Sequence, residues 1–432
     1  MKKSDFIDVM QNITEKTFYI FIFSFILPSG TLLNIPIKLI LCGIILFSMV
    51  FYLDKIKLDK IYFCLVIIVA SLFLWATIAF GNGFSETVIQ CLKMFFSLLI
   101  VIWLAWVLLQ NKIIDEKKAY YYLMIAVFAI IVFKFLIEII LLTHLMEMGR
   151  FIALFRQLFN CDIMSLYFNV GKLFLYRAMM PNDSIPFLYY SFIVFTRGKP
   201  MNKVGFTFII ALYCLITYSR VYIAQFVLTL LLFALLSVSK LKASGFFRSK
   251  YFHVFCIALI SVIIIFVFYV ADTSLYRRFF GSDAQYSDSF RTEQAEFLYS
   301  GFTLQPLIGY GLGAYMTDYI RSDALKFSYE LEYLSFLYQF GILGFLLIIV
   351  PILVLAHFIC LKYIKDKKLK VIIIFNLAFW AISPLFNPSF LSSNSGVIVG
   401  MLCILGRYFQ GKSQSGLPHN FALGNVKFVG AL

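Results

Sequence analysis

The sequence predicts an all-α fold, a polytopic membrane helical bundle of about 12 transmembrane helices with two long outer loops. Three observations carry that expectation. The 432 residues are 62% hydrophobic and only 14% charged, with a mean hydropathy of +0.91, too apolar to cover a soluble domain with polar surface. The apolar residues come in uncharged runs of about 18 to 22, each able to cross a hydrocarbon core of about 30 Å. The lysines between the runs gather in every second connection. Only helices and closed barrels satisfy their backbone in lipid, and these runs are too long and uniform for barrel strands.

In chain order the spans fall near 17–34, 37–53, 61–80, 86–110, 119–143, 183–196, 204–219, 221–238, 251–271, 332–360, 371–387 and 392–408, in one transmembrane domain covering 1–432. No Ala-x-Ala chemistry follows the first, so it reads as a retained span and not as a cleaved signal. One set of connections carries Lys2 and Lys3, then Lys55, Lys57 and Lys60, then Lys112, Lys117 and Lys118, then Arg197, Lys199 and Lys203. The same set continues with Lys240 to Lys250, Lys362 to Lys370, and finally Arg407 and Lys412. The positive-inside rule makes that set cytoplasmic, together with both termini. The opposite connections, Ser29 to Pro36, Phe80 to Ser85 and Asn387 to Ser395, are short and uncharged, with Lys38 just past the first as the lone exception. Residues 411–432 are polar and aperiodic and read as a flexible cytoplasmic tail.

The eight cysteines stand singly, most of them inside apolar runs, so no disulfide framework is expected. His144, His253, His357 and His419 are dispersed without metal-ligand spacing, and neither a metal nor another cofactor is expected.

Two outer connections are long, 144–182 and 272–331. Eight of the 11 arginines fall on the outer side: Arg150, Arg156, Arg177, Arg220, Arg277, Arg278, Arg291 and Arg321. Lysine suffices to set topology, whereas the guanidinium fork matches phosphate bidentately, so this set points to an anionic ligand outside. The plainer alternative is that these arginines snorkel at headgroups or pair with Asp272, Asp283, Asp288 and Glu293. In the first loop Phe151, Leu154, Phe155, Leu158 and Phe159 form the apolar stripe of a helix lying on the membrane face. In the second, Asp288 or Ser289 is expected to cap a helix through Arg291 to Tyr299, and the glycine-dense Gln305 to Gly313 to fold tightly against a helix or ligand. Gly309 and Gly311 are therefore candidate ligand contacts, with Tyr333 at the opening of the next span. Glu330 and Glu332 begin that span; Glu330 is the candidate general base, and Glu332 reads as ordinary capping. Within the bilayer, Arg220 needs a cavity, partner or ligand, Lys134 and Glu138 lie one turn apart as a neutralising pair, and Lys93 is a candidate for the outer cavity.

Ser219-Arg220 at the outer end of a span, Arg291 on a loop helix, Pro306-Leu-Ile-Gly-Tyr-Gly311, and a span opening on polar residues and closing on Gly341-Ile-Leu-Gly344 together resemble the O-antigen polymerase and ligase superfamily. The resemblance is sharpest over about 215–345 and is carried by the order and topological side of these short motifs. It implies a metal-independent glycosyltransferase acting on undecaprenyl-pyrophosphate-linked oligosaccharide at the periplasmic face of the bacterial inner membrane. It also implies that Arg220 and Arg291 contact the donor pyrophosphate, with Arg277, Arg278 and Arg321 as further candidates. Ligases of the superfamily open the corresponding span with a His-Asn pair; here Glu330-Leu331 stands there, which favours the repeat-unit polymerase branch. The expected partners are the lipid-linked glycan, the bilayer and a chain-length regulator, with no nucleic acid.

Three rivals stand beside it. A lipid-linked oligosaccharide flippase would show repeat symmetry and midplane polar sites, and no repeat is evident. A mannosyltransferase with carboxylates in its first outer loop is disfavoured by Ser29-Gly-Thr-Leu-Leu-Asn-Ile-Pro36, which has no acid. A non-catalytic assembly partner leaves the one-sided arginines unexplained.

Overall fold

The structure is a computed structural model and describes residues 3–57, 61–161, 163–170, 173–195, 200–241, 281–323, 325–386 and 388–415. Helices α1 (Lys3–Phe23), α2 (Ile37–Val50), α3 (Ile61–Gly81), α4 (Ser85–Gln110) and α5 (Glu116–Leu142) lead into the surface helix α6 (Met148–Phe159). A hairpin of β1 (Met164–Val170) and β2 (Leu173–Met179) follows, then α7 (Ser184–Phe195), α8 (Pro200–Thr217) and α9 (Arg220–Leu241). The second half comprises α10 (Ser282–Leu304), α11 (Glu332–Gly344), α12 (Val350–Leu361), α13 (Lys367–Ile382) and α14 (Ser393–Ser415). Among the described residues five helical stretches are long and apolar enough to cross a membrane: α3, α4, α5, α11 with α12, and Lys367–Leu385. Helices α2 and α7 and the apolar parts of α8 and α9 are shorter. The expected span 251–271, together with Arg277 and Arg278, lies outside the described residues.

Several local expectations need correction. The outer loop 144–182 holds not only the amphipathic helix α6 but also the antiparallel hairpin, paired from Met164↔Met179 to Val170↔Leu173, so the chain is not purely helical. The first helix begins at Lys3, well before the expected span, and α14 runs to Ser415, into the stretch expected to be flexible. Helix α10 starts at Ser282, which leaves Asp288 in its second turn, free to meet arginines instead of capping. Lys134 is paired not with Glu138 but with Asp183, at 2.7 Å, with both side chains fully buried. Glu138 accepts instead from the Tyr176 amide at 2.8 Å and pins the hairpin to α5. Helical spacing brought two opposite charges near, but the turn into α7 supplied Lys134 with a better partner and the hairpin did so for Glu138. Lys93 is exposed and does not line the main cavity.

Helix α4 is the axis of the bundle, with Phe95, Leu98, Trp106 and Leu108 wholly buried. Lipid is as apolar as leucine, so helices associate by close packing, and small residues make that possible. Gly396 of α14 lies against α4 so tightly that a Cβ there would sit 2.8 Å from the Leu98 carbonyl. One turn on, Gly400 meets Ala105 in the same manner.

Helix α11 is broken at Gly341, whose φ of +61° and ψ of −172° leave the helical region. A break inside a span frees backbone groups that lipid cannot satisfy. The glycine-dense turn supplies the partners. Ile342 and Leu343 donate to the Pro306 and Leu307 carbonyls at 2.8 and 3.0 Å, and Gly311 donates to the Gln339 carbonyl at 2.7 Å. Trp75 of α3 closes the joint, its indole N–H donating to the Ile308 carbonyl at 2.7 Å.

Candidate functional site

A cavity of ≈ 870 Å³ opens between α10, the 319–330 segment, the end of β2, α9, α13 and the start of α14. Its charged mouth is built from three directions. Arg291 projects from α10 and donates through Nε to Glu330 Oε2 at 2.9 Å and through Nη1 to Asp288 Oδ1 at 3.0 Å. Arg321 approaches the other carboxylate oxygen, Glu330 Oε1, at 3.4 Å. Arg220, the first residue of α9, reaches the same Asp288 oxygen at 3.3 Å. Arg220, Asp288, Arg291, Glu330 and Arg321 thus form a chain of alternating charge. The plainer expectation, that the arginines pair with acids, holds to this extent, yet Arg291, Arg321 and Glu330 still line the cavity.

Backbone and side-chain bonds fix this mouth. The buried Gln294 accepts from the Glu330 amide at 2.9 Å, holding the carboxylate over α10. Tyr329 accepts from the Met316 amide at 2.9 Å and donates to the Tyr319 carbonyl at 3.2 Å, tying down the segment that carries Arg321. Burial pushes the Tyr329 phenol up to about 12, so it stays a neutral donor at physiological pH. Glu332 is not a simple cap. It is buried, and its two oxygens accept from the Phe390 and Leu391 amides at 2.8 and 2.9 Å, bracing the segment that leads into α14.

Further in, charge gives way to neutral polar groups. Gln225, Asn376, Ser395 and Asn394 line the wall with Trp380, whose indole N–H donates to the Ser395 hydroxyl at 2.6 Å. Arg177, 6% exposed on β2, forms part of the opposite wall. Sequence reasoning counted Arg177 among the outer arginines but gave it no place in the site; the hairpin that delivers it had no sequence signal beyond a short aromatic run. Gln225 and Asn376 were readable as polar residues inside spans, a pattern that marks cavities.

Three expected ligand contacts lie elsewhere. Tyr333 packs against Phe336, Phe345 and Phe390 and donates to the Ala381 carbonyl at 2.6 Å, outside the cavity lining. Gly309 and Gly311 are spent on the helix joint. At Gly309 a Cβ would fall 2.5 Å from the Gly341 amide, and at Gly311 it would overlap the Ala79 backbone. Among the described residues no group of three His, Cys, Asp or Glu side chains comes together to hold a metal ion.

The stretch that carries most of these parts is matched by a protein family. Residues 205–349 match the family model described as O-antigen ligase. Over this stretch the chain is similar to the O-antigen ligase family. No curated protein matches the chain. The matched stretch contains Arg220, Asp288, Arg291, Arg321 and Glu330, hence the whole charged mouth, and the broken helix with its glycine turn. Gln225 of the deeper wall also lies within it, whereas Arg177, Asn376 and Asn394 come from outside it. Together with the apolar helices, the family match makes the chain a multi-pass membrane protein.

Proposed function

We propose that the chain polymerises lipid-linked repeat units of a surface polysaccharide, transferring the growing glycan from undecaprenyl pyrophosphate to a new lipid-linked repeat unit. The observation that carries this reading is the Arg291–Glu330–Arg321 cluster on a cavity wall within the stretch similar to the O-antigen ligase family. In this reading about 12 spans put both termini in the cytoplasm of a bacterium and the loops 144–182 and 272–331 in the periplasm.

The chemistry asks little beyond positioning and charge. A glycosyl pyrophosphate carries its own leaving group, so the site must stabilise charge that develops on the departing phosphate. The acceptor hydroxyl oxygen attacks the anomeric carbon, the bond from that carbon to the phosphate oxygen breaks, and its electron pair leaves with the pyrophosphate. Arg291 and Arg321 receive that charge, while Arg220 holds Arg291 in place through Asp288. The hydroxyl proton passes to Glu330, whose carboxylate has lone pairs beyond those engaged by the arginines. The neutral amides and hydroxyls deeper in the cavity suit sugar hydroxyls, and ≈ 870 Å³ is within the range of ligand pockets.

The family description favours a ligase instead, whereas Glu330-Leu331 in place of His-Asn favours the polymerase. Deleting the gene in its host and separating the surface polysaccharide by size distinguishes them. A ladder reduced to a single-repeat band, restored by the wild type but not by Arg291→Ala at equal abundance, is the expected result. Loss of the single-repeat band as well would mean a ligase or flippase.

A further inference from the structure

Lys38 is the lysine that breaks the charge alternation at the short outer connections, and the structure places it behind the cavity wall. It is 5% exposed, and its ammonium makes a hydrogen bond of 2.9 Å to a neutral acceptor, Asn394 Oδ1. Among the described residues no carboxylate lies within ion-pair distance of it. The ring of Phe25 also faces it, with the centroid 5.8 Å away. A buried cation without a counter-charge opposes stability, and a methionine of similar length would pack there without that cost.

The surroundings hold this charge in place. The Lys38 stem lies across Gly30, where a Cβ would come 2.5 Å from its Cδ, and the Lys38 amide donates to the Gly30 carbonyl at 3.2 Å. Asn394, itself on the cavity wall, donates from Nδ2 to the Pro28 carbonyl at 3.0 Å. Both ends of the Asn394 amide are thus fixed, with the ammonium directly behind it. Ser389 and Ser392 line the cavity on the same segment. In a low-dielectric wall, a protonated lysine without a carboxylate partner gives the adjoining cavity a positive potential, and an anion bound there favours that protonated form in turn.

We infer that Lys38, acting with Asn394 and the hydroxyls of Ser389 and Ser392, forms a second oxyanion subsite, separate from the arginine mouth, that takes the pyrophosphate of a second isoprenyl-linked substrate. The inference rests on the polymerase reading to the extent that joining two lipid-linked glycans brings two pyrophosphates to one cavity. Lys38 neutralises the second while the arginines serve the first.

The test uses the full chain in lipid nanodiscs, with geranylgeranyl pyrophosphate as probe and geranylgeraniol as the uncharged control. The wild type is expected to bind two probe molecules, and Lys38→Met one, with the second weakened about tenfold or more, as for loss of a charge-assisted contact. The melting temperature of Lys38→Met should be unchanged or higher. Asn394→Asp, which gives Lys38 a carboxylate within the fold, is expected to weaken the same binding event and keeps the test open if Lys38→Met folds poorly. A single probe site in the wild type, two undiminished sites in both variants, or equal occupancy by inorganic pyrophosphate or geranylgeraniol would overturn the inference. If the wild type fails to extend lipid-linked repeat units while the Lys38-dependent second site persists, the polymerase reading falls and the subsite stands.

Discussion

Arg291 and Glu330, 39 positions apart in the chain, meet at 2.9 Å through Nε and Oε2, where the segment before α11 packs on α10. The contact orients both groups. It fixes the plane of the guanidinium, and Arg321 at 3.4 Å on the other oxygen fixes the plane of the carboxylate. In the proposed reaction a pyrophosphate entering the mouth would offer the arginines a more highly charged partner of matching geometry, and exchange of partners would release the carboxylate toward the acceptor hydroxyl. Under that proposal the ion pairs are a resting arrangement that keeps donor and base preorganised.

Arg291→Ala should lower chain extension about 100-fold or more, as for removal of a transition-state charge donor. Arg291→Lys should restore only part, because an ammonium is a point charge without the fork. Stability should change by less than about 1 kcal/mol, since the pair is partly solvated. Polysaccharide ladders at matched protein abundance, read beside thermal melts, check this. A large drop in melting temperature would make the residue structural.

Glu330→Gln keeps the shape and a carbonyl acceptor for the arginines but removes the proton acceptor. Turnover should fall about 100-fold or more, while binding of an isoprenyl pyrophosphate holds or tightens because the arginines lose a competing anion. Single-turnover extension and direct binding, measured separately, resolve the two effects. Turnover that survives the change would remove Glu330 from the chemistry.

The charged mouth was largely legible in the sequence because its parts fall in connections that read as outer and the family resemblance singles out Arg220 and Arg291: Arg220, Arg291, Arg321 and Glu330 do come together. Asp288 as their bridge was not, because a helix start read from local capping chemistry was placed several residues late. The roles of Gly309 and Gly311 were half legible. Tight folding against a helix was foreseen, but the break at Gly341 that requires it is a tertiary event, invisible to hydropathy. Lys134 shows the same limit. Helical spacing names Glu138 as its neighbour, and only the hairpin and the turn into α7 bring in Asp183.

Gly311 offers a test of the joint independent of catalysis. Its φ of +102° is foreign to L side chains, and a Cβ would collide with the Ala79 backbone of α3. Gly311→Ala should therefore cost more than about 2 kcal/mol and sharply lower the amount of folded protein. Gly43→Ala in α2, where nothing lies within 4 Å, should instead gain about 0.5–1 kcal/mol from helix propensity. Thermal unfolding of both in detergent checks the contrast, and equal behaviour would mean that the glycine turn does not brace the broken helix.

The pair Lys134 and Asp183 couples the bundle to the cavity wall. Lys134 donates to Asp183 Oδ1 and to the Thr217 hydroxyl, each at 2.7 Å, while Asp183 Oδ2 accepts from the Met180 amide at 2.8 Å, three residues from Arg177. Removing one partner leaves the other charge buried and unmatched, so Lys134→Met or Asp183→Asn should each cost about 3–5 kcal/mol. The double variant removes both charges and should recover much of the loss, because an apolar or neutral replacement of a buried pair is often close to neutral. A coupling well above about 1 kcal/mol in the double-mutant cycle is the expected measurement. Additive losses would mean that each side chain is held by its other neighbours, Thr217 and Tyr213 among them, and that the ion pair does not set the position of the hairpin.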